Sequence, residues 1–337
     1  MRYLQKTRET EKIRLDVKDK KILSLLAVNS RLPLTQLSKT VALSRDAVNY
    51  RIKNYEKKGV IQGYRTMVDI SKLGYKANHL FIKLNNPPLE IEQKIVNKLI
   101  KYPFVRAVIK FCGNYDFEIA FVTKDTADLD KVLTKITGDC SGYLQDYELV
   151  TIAKTFVTET FPLSFSELKL EQKVTKKINN KINNKTDEKD YEILKVISED
   201  ALLPLHEISG KVKLSADAVA YRIKNMVNSS MILKFIPIIN YTSLGYNLHT
   251  LLLNINGLDE EKERKLKTFL SNDKNTLWAV KTIGRLNILI YLLVKNIADL
   301  QETVLSLKSL FPCQINHYEP LIAYEEYKYI YFPKELF

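Results

Sequence analysis

Hydrophobic residues first fall at helical spacing. Ile22, Leu25 and Leu26 stand at i, i+3 and i+4, which predicts an amphipathic helix over Asp16 to Asn29. Pro33 restarts the chain, and Leu34 and Leu37 open a second helix ending near Val41 and Ala42. Ser44 stands where an N-cap hydroxyl would satisfy an orphan backbone N–H, so a third helix is expected from there to about Lys58, with Gly59 as a left-handed stop. On that helix Val48, Ile52 and Tyr55 form one stripe, while Asp46, Asn49, Tyr50, Lys53 and Lys57 spread over the other side. Three short helices with a tight turn before the third make a helix-turn-helix arrangement. VIQGYRTMVDISKLGY (Val60 to Tyr75) alternates around Gly63 and predicts a small β-hairpin or wing.

Beyond it the period changes. HLFIKL (His79 to Leu84) is strand-like, EIEQKIVNKLI (Glu90 to Ile100) helical, and VRAVIKF (Val105 to Phe111) and FEIAFV (Phe117 to Val122) are strands joined at GNYD. TADLDKVLTKI (Thr126 to Ile136) is helical and YLQDYELVTIAKTFV (Tyr143 to Val157) a strand. The order βαββαβ is that of a ferredoxin-like domain.

The same pattern then repeats. SRDAVNYRIKN from Ser44 returns as SADAVAYRIKN from Ser215, differing at Arg45/Ala216 and Asn49/Ala220. At this offset of 171 residues Leu32-Pro33 falls on Leu203-Pro204, Gly113 on Gly284 and Tyr147-Glu148 on Tyr318-Glu319. A duplicated unit of about 140 residues follows, too long for a solenoid repeat. The expected architecture is α+β: two copies of a winged helix-turn-helix followed by a ferredoxin-like domain. Its boundaries are 15–75 and 76–160 for copy one, a Lys/Asn-rich linker at 161–187, and 188–246 and 247–331 for copy two.

Composition narrows the function classes. The chain has 337 residues, 45% apolar and 27% charged, with a formal charge of +13 that favours an anionic partner, either nucleic acid or an acidic membrane face. Three scattered cysteines and four scattered histidines show no metal-ligand spacing, so neither a metal nor a disulfide framework is expected, and a cytoplasmic location is. The start, MRYLQKTRETEKIRL, lacks an apolar stretch, which predicts no signal peptide, and no run of 18 apolar residues predicts a membrane span.

LDVKDKKILSLLAVNSR, LSRDAVNYRIKNYEKKGVIQGY, VDISKLGY and GNYDFEIAF, in this order over about residues 15–157, resemble the Lrp/AsnC family of transcription regulators. DEKDYEILKVI, LSADAVAYRIKNM, TSLGY and GRLNILIYL carry a looser resemblance in copy two, and the double arrangement is similar to tandem Lrp-like proteins of archaea. The resemblance implies an N-terminal winged helix-turn-helix that binds double-stranded DNA. It also implies a ferredoxin-like domain for effector binding and oligomerisation, paired within one chain or between chains. No cofactor and no catalytic residue is expected. Two other readings are a metabolite sensor that does not bind DNA and an enzyme like the sirohaem decarboxylases, which resemble this family. The region VRAVIKFCGNYDFEIAFV has no histidine, which speaks against haem handling.

On this reading Arg45, Asn49 and Lys53 are candidates for base or near-base contact, behind the cap Ser44. Asp46 suits the helix dipole or a cytosine amine, and Tyr50 a phosphate or sugar. Arg51 suits either a phosphate or a carboxylate inside the domain, and Arg65 a phosphate beside the wing. Copy two offers Ser215, Asp217, Tyr221, Arg222 and Lys224. It has Leu202, Ala216 and Ala220 where copy one has Arg31, Arg45 and Asn49, and Ser230 and Lys234 for Gly59 and Gly63, so copy one is expected to read DNA more fully. The resemblance places a small effector, such as an amino acid, around Gly113, Asn114, Tyr115 and Asp116, where the Asp116 carboxylate could accept from an α-ammonium group, and around Gly284, Arg285 and Asn287.

The charge balance yields a direct expectation. DNA affinity should fall linearly with salt on a log–log plot, with a slope of about −0.9 per phosphate neutralised. A titration from low to physiological ionic strength measures it, and a flat line would contradict a phosphate-contacting interface.

Overall fold

A computed structural model of the chain describes residues 13–140, 142–165 and 186–336. The basic arm before residue 13 and most of the Lys/Asn-rich linker lie outside the described residues. Copy one runs α1 Val17–Val28, α2 Leu34–Val41, α3 Arg45–Lys57, β1 Ile61–Val68, β2 Lys76–Leu84, α4 Leu89–Leu99, β3 Val105–Cys112, β4 Phe117–Thr123, α5 Thr126–Asp139 and β5 Leu144–Thr158. Copy two repeats it: α6 Glu188–Glu199, α7 Leu205–Val212, α8 Ala216–Asn228, β6 Ile232–Ile239, β7 Asn247–Ile255, α9 Glu260–Asn272, β8 Thr276–Ile283, β9 Ile288–Val294, α10 Ile297–Leu310 and β10 Ile315–Tyr329. The chain is α+β. Its compact units are not the two copies. One unit collects both helical trios with β1 and β6 (residues 14–74, 186–240 and 330–336), and the other collects both sheets with their helices (75–165 and 241–329).

Local chemistry explains the helices of the first unit. Asp16 caps α1 through a reciprocal box with Asp19, and Asp187 with Asp190 repeats the box on α6. Ser44 accepts from the Ala47 N–H at 3.1 Å and Ser215 from Ala218 at 3.2 Å. Ile22, Leu23, Leu37, Val41 and Val48 are fully or almost fully buried in copy one; Ile193, Leu194, Ile208, Val212 and Val219 are their counterparts.

The expected hairpin over Val60 to Tyr75 does not form. β1 is a single strand followed by a short 3-10 turn at Ile70–Leu73, and its partner is its own counterpart, β6, antiparallel, with Arg65 opposite Ile236. Gly63 sits at a register shift in this pairing rather than in a turn. Non-local pairing of this kind leaves no local periodicity to read. The left-handed stop survives in copy two as well, because Ser230 adopts φ 57° where Gly59 has φ 70°. The surrounding bonds obey a two-fold relation. Ser30 N–H donates to Phe235 O at 2.8 Å and Ala201 N–H to Tyr64 O at 3.2 Å; Asp69 N–H donates to Met231 O and Asn240 N–H to Val60 O, both at 2.9 Å.

The second unit is a closed, all-antiparallel barrel in the order β10-β3-β4-β2-β5-β8-β9-β7. Two long strands close it. The first half of β5 pairs with β2 and its second half with β8; β10 pairs with β7 and then with β3. Phe156 and Val157 of β5 thereby join the core under α9 and α10, while Tyr327 of β10 packs on the core under α4 and α5. Closure leaves the barrel no open edge strand, although the ladders are interrupted by several register shifts.

Arg31 breaks the two-fold relation, since copy two has Leu202 at that position. Its Nε donates to Ala201 O at 2.6 Å and its Nη2 to Leu203 O at 3.3 Å, with the guanidinium 4.8 Å above the Phe235 ring. It is a clamp between the copies and not a group held free for a phosphate. Arg31→Leu should lower the unfolding free energy by about 1.5–3 kcal/mol in a denaturant titration, the range for hydrogen bonds to a charged group. An unchanged midpoint would mean that the clamp carries no coupling.

Candidate nucleic-acid interface

The third helix is set by what precedes it. Ala42 turns the chain at φ 51°, Ser44 caps, and buried Val48 and Tyr55 dock α3 so that its other face is turned outward. On that face Arg45, Asp46, Tyr50 and Lys53 are exposed and Asn49 is half-buried. In α8 the exposed set is Asp217, Tyr221 and Lys224, with Ala216 and Ala220 at the two diverged positions. Tyr50 and Tyr221 are 73% and 67% exposed, unusual for aromatic rings on a helix that has a core to join.

Two candidate residues are already engaged. Arg51 bonds Asp16 at 2.7 Å and also Asp19, and the Tyr55 hydroxyl donates to Asp19 at 2.5 Å. Arg222 repeats this with Asp187 and Asp190, each at 2.8 Å. Hydrogen bonds to these carboxylates raise both guanidinium pKa values. Burial works against the charged forms of Asp16 and Asp187, but backbone N–H groups and the arginines outweigh it and hold both below the usual carboxylate range. Of the two roles open to Arg51, the structure takes the carboxylate: it pins the first helix to the third. Ser44 and Ser215 spend their hydroxyls on capping. Arg65 is half-buried within the β1–β6 ribbon, not at the tip of a wing.

α2 adds outward polar residues that the periodicity of the third helix does not announce. Thr35, Gln36 and Lys39 are exposed on it, where copy two has His206, Glu207 and Gly210. In this motif the preceding helix crosses the phosphate backbone. The excess of polar residues in so short a helix was the available signal.

The residues expected to hold an effector lie in the barrel unit. Gly113 and Gly284 are left-handed at φ 153° and 155°, and a side chain there would strike Leu321 or the Leu149 carbonyl, so both mark close approaches between the copies. Asp116 accepts the Leu84 N–H at 2.6 Å, and Asn287 accepts Ile255 N–H at 2.9 Å. Carboxylate and amide therefore do one structural job, which is why the exchange between copies is tolerated. Tyr115 is buried, Asn114 accepts from Lys83, and Arg285 bonds Glu148 at 2.8 Å.

Comparison with known proteins fits this geometry. A model described as winged helix-turn-helix DNA-binding matches residues 15–62, and one for the AsnC-type helix-turn-helix domain matches residues 187–227. The transcriptional regulator LrpA of Pyrococcus abyssi is 30% identical over 128 residues, 38% of this chain and 89% of LrpA. The chain belongs to the Lrp/AsnC family of transcription regulators. Another relative, the regulator FL11 of Pyrococcus furiosus, is 28% identical over 149 residues, 44% of this chain and 97% of FL11. This Lrp/AsnC chain thus matches whole relatives with less than half of itself. A crystal structure of the siroheme decarboxylase NirDL aligns over 93% of both chains with TM-score 0.60 at 12% identity, a likeness of fold alone. As an Lrp/AsnC protein the chain is a DNA-binding transcription regulator, and its relatives are named as regulators.

The geometry separates outward-facing side chains from braces. Asn49→Ala should weaken specific DNA binding by about 1–3 kcal/mol and relax one base position. Lys53→Ala should weaken binding without loss of fold. Arg51→Ala should instead cost roughly 1 kcal/mol of stability, as for an ordered ion-pair network. Paired gel-shift and thermal-melt measurements distinguish these; a stable, DNA-defective Arg51→Ala protein would reverse the assignment.

Proposed function

We propose that this regulator reads double-stranded DNA as a single-chain pseudo-dimer, with α3 and α8 in two major-groove half-sites. The observation that carries the reading is the β1–β6 ribbon with its two-fold bonds, which ties both helical trios of one chain into one unit. Family members with one copy must find a second chain; here the partner is tethered, so binding of one trio raises the local concentration of the other. The diverged positions 45/216 and 49/220 make the two half-sites different, with copy one the more discriminating reader. The domain boundaries given above, with both sheets read as ferredoxin-like, belong to the same proposal. So does effector control at the loops 113–116 and 284–287, where Asn114, Tyr115 and Arg285 retain groups not used in closing the turn.

Selection of bound fragments from random DNA tests this. The expected result is one asymmetric, bipartite motif filled by a single chain, counted by native mass spectrometry of the complex. A symmetric palindrome that takes two chains would refute the single-chain reading, and no enrichment at all would refute sequence-specific recognition.

A further inference from the structure

The barrel interior is strongly asymmetric. His79 and Glu118 of copy one meet Trp278 and Tyr291 of copy two. His79 Nδ1 lies 2.5 Å from a Glu118 oxygen, the Tyr291 hydroxyl donates to that same oxygen, and the indole stacks on His79 at 5.5 Å and meets the tilted Tyr291 ring at 4.8 Å. Glu118 is fully buried, His79 nearly so, and Tyr291 is 5% exposed.

The repeat carries these four residues onto Thr250, Leu289, Ala107 and Ala120, all buried. Strand register shows what this means. On copy one Ala107 pairs with Ala120, which pairs with His79. On copy two Trp278 pairs with Tyr291, which pairs with Thr250. One row reads small, small, large; the other reads large, large, small. The buried Glu118 carboxylate of one row accepts from the Tyr291 hydroxyl of the other.

From this we infer that the two sheets are made to recognise each other and to reject themselves: the partner of each barrel face is the opposite copy, never a like one. A copy-one pair would set two buried Glu118 carboxylates opposite alanines, each keeping His79 of its own copy but losing the Tyr291 hydroxyl and leaving unfilled volume. A buried acceptor that loses one of its donors is destabilising, and the void adds to it. A copy-two pair would crowd two tryptophans and two tyrosines against leucine and threonine, with overpacking and an orphaned hydroxyl on each side. Attraction in one pairing and repulsion in both others is how specificity is built.

The test uses the full chain with a protease site inserted between residues 169 and 184. After cleavage, unlabelled and isotope-labelled proteins are mixed, unfolded together in urea and refolded. Native mass spectrometry then counts the pairs. Opposite-copy pairs should exceed like pairs at least tenfold. Like pairs at half of the total, the statistical share, would overturn the inference, as would halves that do not pair. Removing the polar match without leaving a lone charge, as Glu118→Leu with Tyr291→Phe, should raise the like-pair share severalfold. An unchanged share in a variant that refolds would show that the cluster does not set the choice.

Discussion

Everything in this molecule depends on strand edges that one copy cannot satisfy. A four-stranded sheet ends in two rows of unpaired N–H and C=O groups, and a lone β1 has no partner at all. Each copy answers with the other. β5 runs on past β2 to pair with β8, β10 runs on past β7 to pair with β3, and β1 pairs with β6. A backbone hydrogen bond contributes only about 1 kcal/mol net, but an unmade one in a buried seam costs more, so closure is strongly favoured over an open edge. The duplication is therefore not a chain of beads; its compact units each take half from either copy.

Once the copies are bound to each other, they are free to differ. Paired identical subunits must place every side chain twice, and a change that suits one side is imposed on the other. Here Arg31 can clamp the Ala201 and Leu203 carbonyls while Leu202 does not have to find the equivalent. Glu118 can sit buried because Tyr291 is written only on the other side. The same freedom reaches the outward faces of α3 and α8, where Arg45 and Asn49 stand against Ala216 and Ala220. Conversely, the braces are preserved on both sides: Arg51 with Asp16 and Asp19, and Arg222 with Asp187 and Asp190, hold the third helix at a fixed angle to the first whatever its outer face reads.

Local chemistry accounts for everything that could be read along the chain. The helix ends at Ser44 and Gly59, the stripe of Val48 and Tyr55, the βαββαβ order and the 171-residue repeat are all short-range statements about period, caps and turns, and the elements form where those signals lie. The outward face of α3 was legible for the same reason. Tertiary structure alone decided the rest. The hairpin expected over Val60 to Tyr75 became half of a ribbon, because the partner of β1 is 171 residues away and no local pattern records it. Arg31, Asp116 and Arg65 carry groups suited to ligands, yet carbonyls, a backbone N–H and a strand seam reach them first. The pairing of His79 and Glu118 with Trp278 and Tyr291 was invisible in the same way: complementarity between two faces exists only once long-range strand pairing has brought them within a few ångströms.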